Sequence, residues 1–371
     1  MPEPITLALQ TLIDRAVDAE AVELEAVHPP RDYLGASIIG TKCERSLWYG
    51  FRWWDMPDFP ARIRRRFETG NAYEERAIKR LRQAGFEVLA HNPRARNEKK
   101  QWAGELGSLG GLVRGHMDGF ARASREVWAE MLGEVGSQDG ALDERERVLE
   151  ALADRWVLVE VKALASAKYR YAKDDTDYLE PLGQRTKGGR TEGRWFECRR
   201  KGVLKARPIH WAQMQAYMGF SWEPDRNGKI QHERWGLGHG LTHALYIGIN
   251  GDTDQWFGEL VPFVPRAFDK IKARASAIVR ATTPPPRRWE NPVLGDCRFC
   301  DSREACHRSR PPTRVSCRSC EHAEIKIPGD RRFFGKQSIW VCKRHGANIS
   351  REATPCDHYT TISGGADDVG F

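Results

Sequence analysis

No run of apolar residues in this chain approaches the ~18 needed to cross a bilayer, so a membrane protein is not expected. The opening Met1-Pro2-Glu3-Pro4 lacks the basic region and apolar core of a secretory signal, and an intracellular, cytoplasmic protein is expected. In that setting the nine cysteines among 371 residues read as metal ligands, not as disulfides. Charge is not extreme either: 59 Lys+Arg against 51 Asp+Glu leaves +8, with pI ≈ 9.0. A moderately basic chain favours a polyanionic partner without proving one. Thirteen tryptophans among basic residues suit nucleic acid better than a lipid surface. The length fits one large domain and a small appendage.

The most informative stretch runs from Gly115 to Lys162. Val157-Leu158-Val159-Glu160-Val161-Lys162 is β-branched, apolar and too short for a helix, so it predicts a buried strand. Residues two apart share a face of a strand, which aims Glu160 and Lys162 the same way. Burying a carboxylate and an ammonium together is costly without partners. Asp118, after the apolar segment Leu112 to Met117, can supply a second carboxylate. Two carboxylates suit a hard divalent ion such as Mg²⁺ or Mn²⁺, and a lysine beside them can orient or activate a water. The bland alternative is an ordinary Glu160–Lys162 ion pair.

Around this stretch, residues 5–27 predict an amphipathic helix. A second helix, over about 63–84, puts Phe67, Glu74, Ile78 and Leu81 on one face while Glu75 turns away. An acid on an apolar face needs a reason, although a surface glutamate remains the alternative. Gly85 to Leu89 predicts a strand, and 121–155 is longer than a hairpin needs, so it reads as an insertion. A second insertion, 168–207, holds Arg185, Lys187, Arg190, Arg194, Arg199, Arg200 and Lys201 with Trp195 among them, against only Glu192 and Glu197 from Gln184 to Arg207. Phosphate contacts plus stacking faces are what a single-strand groove uses; a solvated basic loop is the alternative. A helix over Pro208 to Phe220 places Gln213 and Tyr217 one turn apart. Strands over 242–249 and 255–263 flank Asn250-Gly251, a hairpin signal, and a helix over 266–281 ends at Pro284-Pro285-Pro286.

Two sets of cysteines follow. Cys297-Arg298-Phe299-Cys300 with Cys306 is too tight for disulfides and suits a metal centre; Cys43 and Cys198 are the candidates for its fourth ligand. Beyond Pro311-Pro312, Cys317 and Cys320 are joined by Cys342 and Cys356, with His345 the competitor for Cys356. This spacing fits a small Zn²⁺ ribbon that folds around its metal. Ser363 to Asp368 reads as a disordered tail.

Asp118, then Glu160-x-Lys162, then Gln213-x-x-x-Tyr217 resembles the PD-(D/E)XK nuclease superfamily. Within it the ordered set is similar to the RecB-like exonucleases, including CRISPR-associated and phage types. Ser37 through Cys43-Glu44-Arg45 to Tyr49, with the late Cys-x-x-Cys-x₅-Cys, resembles the iron–sulfur branch of RecB and AddB. That likeness selects Cys43 to complete a [4Fe–4S] cluster with Cys297, Cys300 and Cys306; zinc in the same place is the alternative. The family often carries Gly-x-x-x-His on the helix where this chain has Gly70-Asn71-Ala72-Tyr73-Glu74, so Glu74 stands where the histidine would. The resemblance implies an α/β fold with a central mixed sheet flanked by helices, spanning 31–309. A helix over 1–30 precedes it, and a zinc-ribbon-like module over 313–360 and a tail from 361 follow. It also implies metal held by Asp118, Glu160, the Val161 carbonyl and Glu74, with Lys162, Gln213 and Tyr217 catalytic. The expected activity is a metal-dependent DNA exonuclease of recombination or repair, acting on single-stranded DNA or duplex ends. The alternatives are a structure-specific endonuclease and a non-cleaving DNA-binding protein.

Overall fold

The computed structural model describes residues 12, 31–55, 61–90, 105–132, 141–164, 179–181, 186–187, 190–191, 198–200, 202–331, 333–350 and 353–362. The expected helix over 5–27, Leu12 apart, most of the basic insertion and the tail from Ser363 lie outside these residues.

In chain order, β1 (Leu34–Gly35) is followed by α1 (Glu44–Phe51), α2 (Ala61–Gln83), β2 (Glu87–Ala90), β3 (Glu105–Ser108), β4 (Val113–His116) and β5 (Gly119–Arg122). Then come α3 (Arg125–Leu132), α4 (Ala141–Leu152) and β6 (Val157–Leu164). Four short strands, β7 (Leu179–Pro181), β8 (Thr186–Lys187), β9 (Arg190–Thr191) and β10 (Cys198–Arg200), lie in the basic insertion. The chain returns through α5 (Gly202–Ala206), α6 (Pro208–Phe220), α7 (Gln231–Arg234), β11 (His243–Asn250), β12 (Trp256–Pro262) and α8 (Pro265–Arg280). It finishes with α9 (Arg303–Arg308), β13 (Ala323–Lys326), β14 (Ile339–Cys342) and β15 (Ala347–Asn348).

The main sheet is mixed, in the order β12-β11-β6-β5-β2. Only β6 and β11 run parallel in it; the other neighbours are antiparallel. A second sheet, β1-β4-β3, packs beside it. This is a mixed α/β arrangement flanked by helices, as the resemblance implied.

Alternation along β6 sorts the interior into two cores. Leu158 faces one side with Phe120, Ala244, Tyr246 and Val261, covered by Met214 and Tyr217 of α6. Val157, Val159 and Val161 face the other, covered by Ala77, Ile78 and Leu81 of α2, Trp128 of α3, and Leu149 and Leu152 of α4. The 121–155 insertion therefore covers one face of the sheet. Helix α6 is buried along its length from Ala212 to Phe220, as a helix apolar on nearly all sides must be.

The strand that matters most ends early. β5 pairs with β6 only from Ala121↔Val157 to Gly119↔Val159, whereas β11 accompanies β6 as far as Leu164. Just before Gly119 the chain leaves the second sheet at the end of β4 and crosses by Met117-Asp118. Asp118 thus sits on a bend between two sheets, not within a strand.

The C-terminal segment is not a detached appendage. Ala323, Ile325, Ile327, Trp340 and Ile362 belong to the same apolar core as Trp48 and Phe51. Two buried arginines latch the seam. Arg52, 1% exposed, donates to the carbonyls of Arg318 (3.3 Å), Ala323 (3.2 Å) and Ala281 (2.7 Å). Arg318 donates back to Phe51 (3.3 Å) and Asp32 (3.0 Å), and both guanidiniums lie 4.9 Å from the Trp340 ring. Burial, followed by the Arg318 charge, pushes the Arg52 pKa down to about 9. Replacing Arg52 by Ala strips three carbonyls of their donor and opens a cavity. The variant should lose about 2–4 kcal/mol in urea unfolding, with 313–350 becoming protease-sensitive; an unchanged midpoint would show that the latch is dispensable.

Candidate active site

Within a strand, the N–H and C=O of one residue point to the same edge, and alternate residues serve alternate neighbours. Val159 serves β5. Val161, two residues on, points its N–H and C=O at the same edge after β5 has ended. Buried backbone groups need partners, and functional side chains supply them. Asp118 Oδ2 accepts the Val161 N–H at 2.6 Å. The Lys162 ammonium donates to the Val161 carbonyl at 3.1 Å.

That ammonium also touches Glu160 Oε1 and lies 3.9 Å from Asp118 Oδ2, so it bridges the two carboxylates. Glu160 is fully buried, and its Oε2 has no hydrogen-bond partner. Glu74 comes from α2 on the other side of the sheet, and it interacts electrostatically with Asp118, Lys162 and Glu160, whereas Glu75 is exposed. From α6, Tyr217 donates to the His116 carbonyl at 2.7 Å and accepts from Gln213 Nε2 at 3.4 Å. Gln213 is 3% exposed with an unpartnered Oε1. Gly115 makes the Tyr217 contact possible: a Cβ there would sit 2.5 Å from the Tyr217 hydroxyl.

Electrostatics follow from this crowding. Burial above all pushes the Glu74 carboxyl up to about 8, and the Asp118 and Glu160 charges add to it. Burial likewise raises Glu160 to about 8 against the pull of Lys162, with Asp118 reinforcing the rise. Asp118 is raised by burial although Lys162 and the Val161 N–H oppose it. Burial works against the charged form of Lys162, but Glu160, Asp118 and Glu74 outweigh it and hold the ammonium protonated. Tyr217 stays protonated for the same reasons, burial first and the Glu160 and Asp118 charges next.

The donors are all oxygen, which suits a hard divalent ion, and Glu160 Oε2 and Gln213 Oε1 are buried acceptors still lacking donors. Among the described residues no group of three His, Cys, Asp or Glu side chains is already closed around one point as a bound ion requires. Here Lys162 lies between the carboxylates, and an ion shared by Asp118 and Glu160 would have to displace it.

The cysteines gather as two sets. Cys43, Cys297, Cys300 and Cys306 line one small cavity with Ser46, Trp289 and His307. Burial raises the Cys297 thiol, and Cys43, Cys300 and Cys306 each add to it, so all four sulfurs are within electrostatic reach. Cys43 precedes α1, whose Arg45 and Tyr49 also face Cys306. Cys317, Cys320, Cys342 and Cys356 line a second cavity with His322, His345 and His358. Burial and the other three thiols raise Cys317, while Cys356 Sγ lies 3.5 Å from His345 Nε2.

Comparison with family models finds no match, and neither does comparison with curated proteins. Among solved structures the chain is similar to SSO0001, at 10% identity and a TM-score of 0.37 over 80% of this chain and 97% of that one. It is also similar to an alkaline exonuclease (LHK-Exo) from Laribacter hongkongensis, at 12% identity and a TM-score of 0.31 over 67% of this chain and 87% of that one. Likeness this distant carries no weight for the reaction, which the site itself has to support.

The structure thus brings together Glu74, Asp118, Glu160, Val161, Lys162, Gln213 and Tyr217. It does not do so for the basic insertion. Arg185, Arg194, Trp195 and Lys201 lie outside the described residues. Lys187 and Arg190 pair across β8–β9, and Arg199 and Arg200 lie on β10 beside β7, as backbone. Sequence reasoning missed His210, bonded through Nδ1 to Tyr246 at 2.9 Å, although it stands three residues before Gln213 on the same helix. No helix among the described residues is long and apolar enough to cross a membrane.

Glu74 and Glu160 keep protons up to about 8 in the fold that the unfolded chain releases near 4.5. The native state binds more protons across that window, so stability of the metal-free protein should fall as pH rises from about 4.5 to 8. In chelator the melting temperature should drop over this range, and Glu160→Gln should flatten the slope. A rising or flat wild-type profile would mean that the carboxyls are not perturbed.

Proposed function

We propose that this protein is a divalent-metal-dependent deoxyribonuclease, an exonuclease that hydrolyses phosphodiester bonds from DNA ends in recombination, repair or processing. One observation carries the reading: three carboxylates and a lysine converge where β5 leaves β6, and the central carboxylate, Glu160, is fully buried with one oxygen unpartnered. Structural ion pairs satisfy their atoms; this one leaves acceptors for something else.

Asp118, Glu160 and the Val161 carbonyl, with Glu74 as the further carboxylate, would hold Mg²⁺ or Mn²⁺. Such an ion, when bound, neutralises charge on the phosphate and on the leaving oxygen and makes a water more acidic. Asp118, tied to the Val161 N–H, is fixed in place before substrate arrives, and Glu160 is fixed by burial. Lys162, kept protonated, is suited to orienting the attacking water and donating to phosphate oxygens, not to accepting a proton. Gln213 and Tyr217 close the site from α6; Tyr217 stays a phenol and donates rather than accepts protons. The basic insertion, with Arg185, Lys187, Arg190, Arg194, Trp195, Arg199, Arg200 and Lys201, leads into α6 and would grip the DNA strand.

The four thiols at Cys43, Cys297, Cys300 and Cys306 fit a [4Fe–4S] cluster, and Cys317, Cys320, Cys342 and Cys356 fit Zn²⁺. In both places the thiols line one cavity, which supports that assignment, and a bound centre would have to draw their sulfurs closer around one point. A cluster joining Cys43 to Cys306 would close a loop around most of the chain and act as a staple.

End-labelled single-stranded and duplex DNA should be degraded with Mg²⁺ or Mn²⁺, and closed circular DNA spared. Glu160→Gln and Lys162→Gln should each lose at least about a hundredfold in rate at a temperature where circular dichroism shows both still folded; near-wild-type activity in either would remove the catalytic assignment. Cutting of circles would move the reading to an endonuclease. Purified without oxygen, the protein should be brown, and Cys43→Ser should bleach it; a colourless wild type carrying only zinc would replace the cluster by zinc.

A further inference from the structure

Three turns of the C-terminal module each bring two metal-binding side chains to one cavity. Cys317 and Cys320 flank the first, a short 3₁₀ turn. Cys342 and His345 lie on the second, where the Gly346 N–H donates to the Cys342 carbonyl at 2.8 Å. Cys356 and His358 lie on the third, where the Tyr359 N–H donates to the Cys356 carbonyl at 3.0 Å. A further donor, His322, lines the same cavity just before β13. Its Nε2 is buried without a hydrogen-bond partner, the Glu321 carboxylate lying 3.8 Å away.

One tetrahedral Zn²⁺ takes four donors, and the four thiols suffice for it. Three imidazoles then remain on the same cavity, and imidazole is itself a zinc ligand. Cys356 joins the two groups. Its thiol is among those that raise Cys317, and its Sγ lies 3.5 Å from His345 Nε2. The His345 and His358 rings stand 5.6 Å apart, tilted by 33°. Both are exposed, whereas Cys320 is buried, so the sulfur-rich side of the cavity is the deeper one. With one thiolate shared, the seven side chains fill two complete tetrahedra.

We infer that this module binds two Zn²⁺ ions bridged by the Cys356 thiolate. One ion takes Cys317, Cys320 and Cys342 with Cys356; the other takes Cys356 with His322, His345 and His358. This rests on the zinc reading of the C-terminal cysteines and adds a second ion to it. Binding would draw the side chains in around two points, and each thiol would shed its proton. The shared thiolate would pin the segment 353–362. That segment already lies along the first turn, through the Cys317 N–H to the Ala353 carbonyl (2.7 Å) and the Ile362 N–H to the Ser319 carbonyl (3.1 Å).

The test counts zinc and iron per chain in the full-length protein, purified with Zn²⁺ and then challenged with a chelator that leaves wild type loaded. Wild type should carry about two zinc ions beside its iron, or about three if the first cysteine set holds zinc instead. The double variant His345→Ala, His358→Ala, changed only at exposed positions, should hold about one zinc fewer. Cys356→Ala should hold about two fewer, because both ions lose a ligand. Circular dichroism checks that each variant is folded. Wild-type zinc content in the double variant, or a wild type with a single zinc in this module, would overturn the inference while leaving the zinc reading standing. Loss of a single ion from Cys356→Ala would overturn the shared thiolate and the two-ion site with it. If the double variant fails to fold, the wild-type count and His322→Ala decide: one zinc in the module, or no loss in His322→Ala, overturns the inference as well. A wild type free of zinc defeats the zinc reading and this inference together.

Discussion

Everything at the candidate site depends on one backbone constraint, the early end of β5. Because β5 stops at Gly119↔Val159, the Val161 N–H and C=O face an edge with no strand. Left bare, each would cost on the order of 1–3 kcal/mol. Asp118 takes one and Lys162 the other, so the groups that repair the sheet are those the chemistry would use. Asp118 can do so because it lies on the bend where the chain changes sheets, and Glu160 and Lys162 because their strand continues beside β11. The site is thus built where the sheet opens and is held by the ladder that persists.

The same region explains why the cluster is charged in the way it is. Three carboxylates and one ammonium share a space with little water, and Glu74 and Glu160 answer by holding protons up to about 8. Lys162 partly compensates the carboxylates. Farther away, the remaining charge problem is solved differently. Arg52 and Arg318 cross the seam to the C-terminal strands by donating to backbone carbonyls, and Arg318 stands between Cys317 and Cys320. Thiolates gathered around a metal there would supply negative charge close to both guanidiniums, tying the docking of that module to its own metal centre.

Much of this was legible in the chain. The β-branched run at 157–162 predicted a core strand with Glu160 and Lys162 on one face, and the helical phase of Glu74 against Glu75 separated the inward acid from the exposed one. The hairpin at Asn250-Gly251 and the helix from Pro208 to Phe220 lie where turn and helix signals put them. What the sequence could not carry is longer in range. That Asp118 caps the Val161 N–H depends on two strands diverging, which no local pattern records. The helix Arg125–Leu132 escaped notice inside what looked like an insertion, although its Trp128 is buried in the core. Arg52 and Arg318 look like surface charges in sequence, and only the packing of Trp48, Trp53 and Trp340 around them makes them interior. His210 pairs with Tyr246, 36 residues away, a contact that no local spacing records.

The central claim is that the Asp118–Glu160 cluster is a divalent-metal site whose carboxyls hold protons until the ion arrives. Titrating Mn²⁺ into the protein calorimetrically, in two buffers of different ionisation heat, measures both binding and the protons released. At pH 7 the account predicts one site abolished by Asp118→Asn, releasing about one proton or more per ion, with the release vanishing well above pH 8. Absence of binding, or binding without proton release and indifferent to Asp118→Asn, would contradict it.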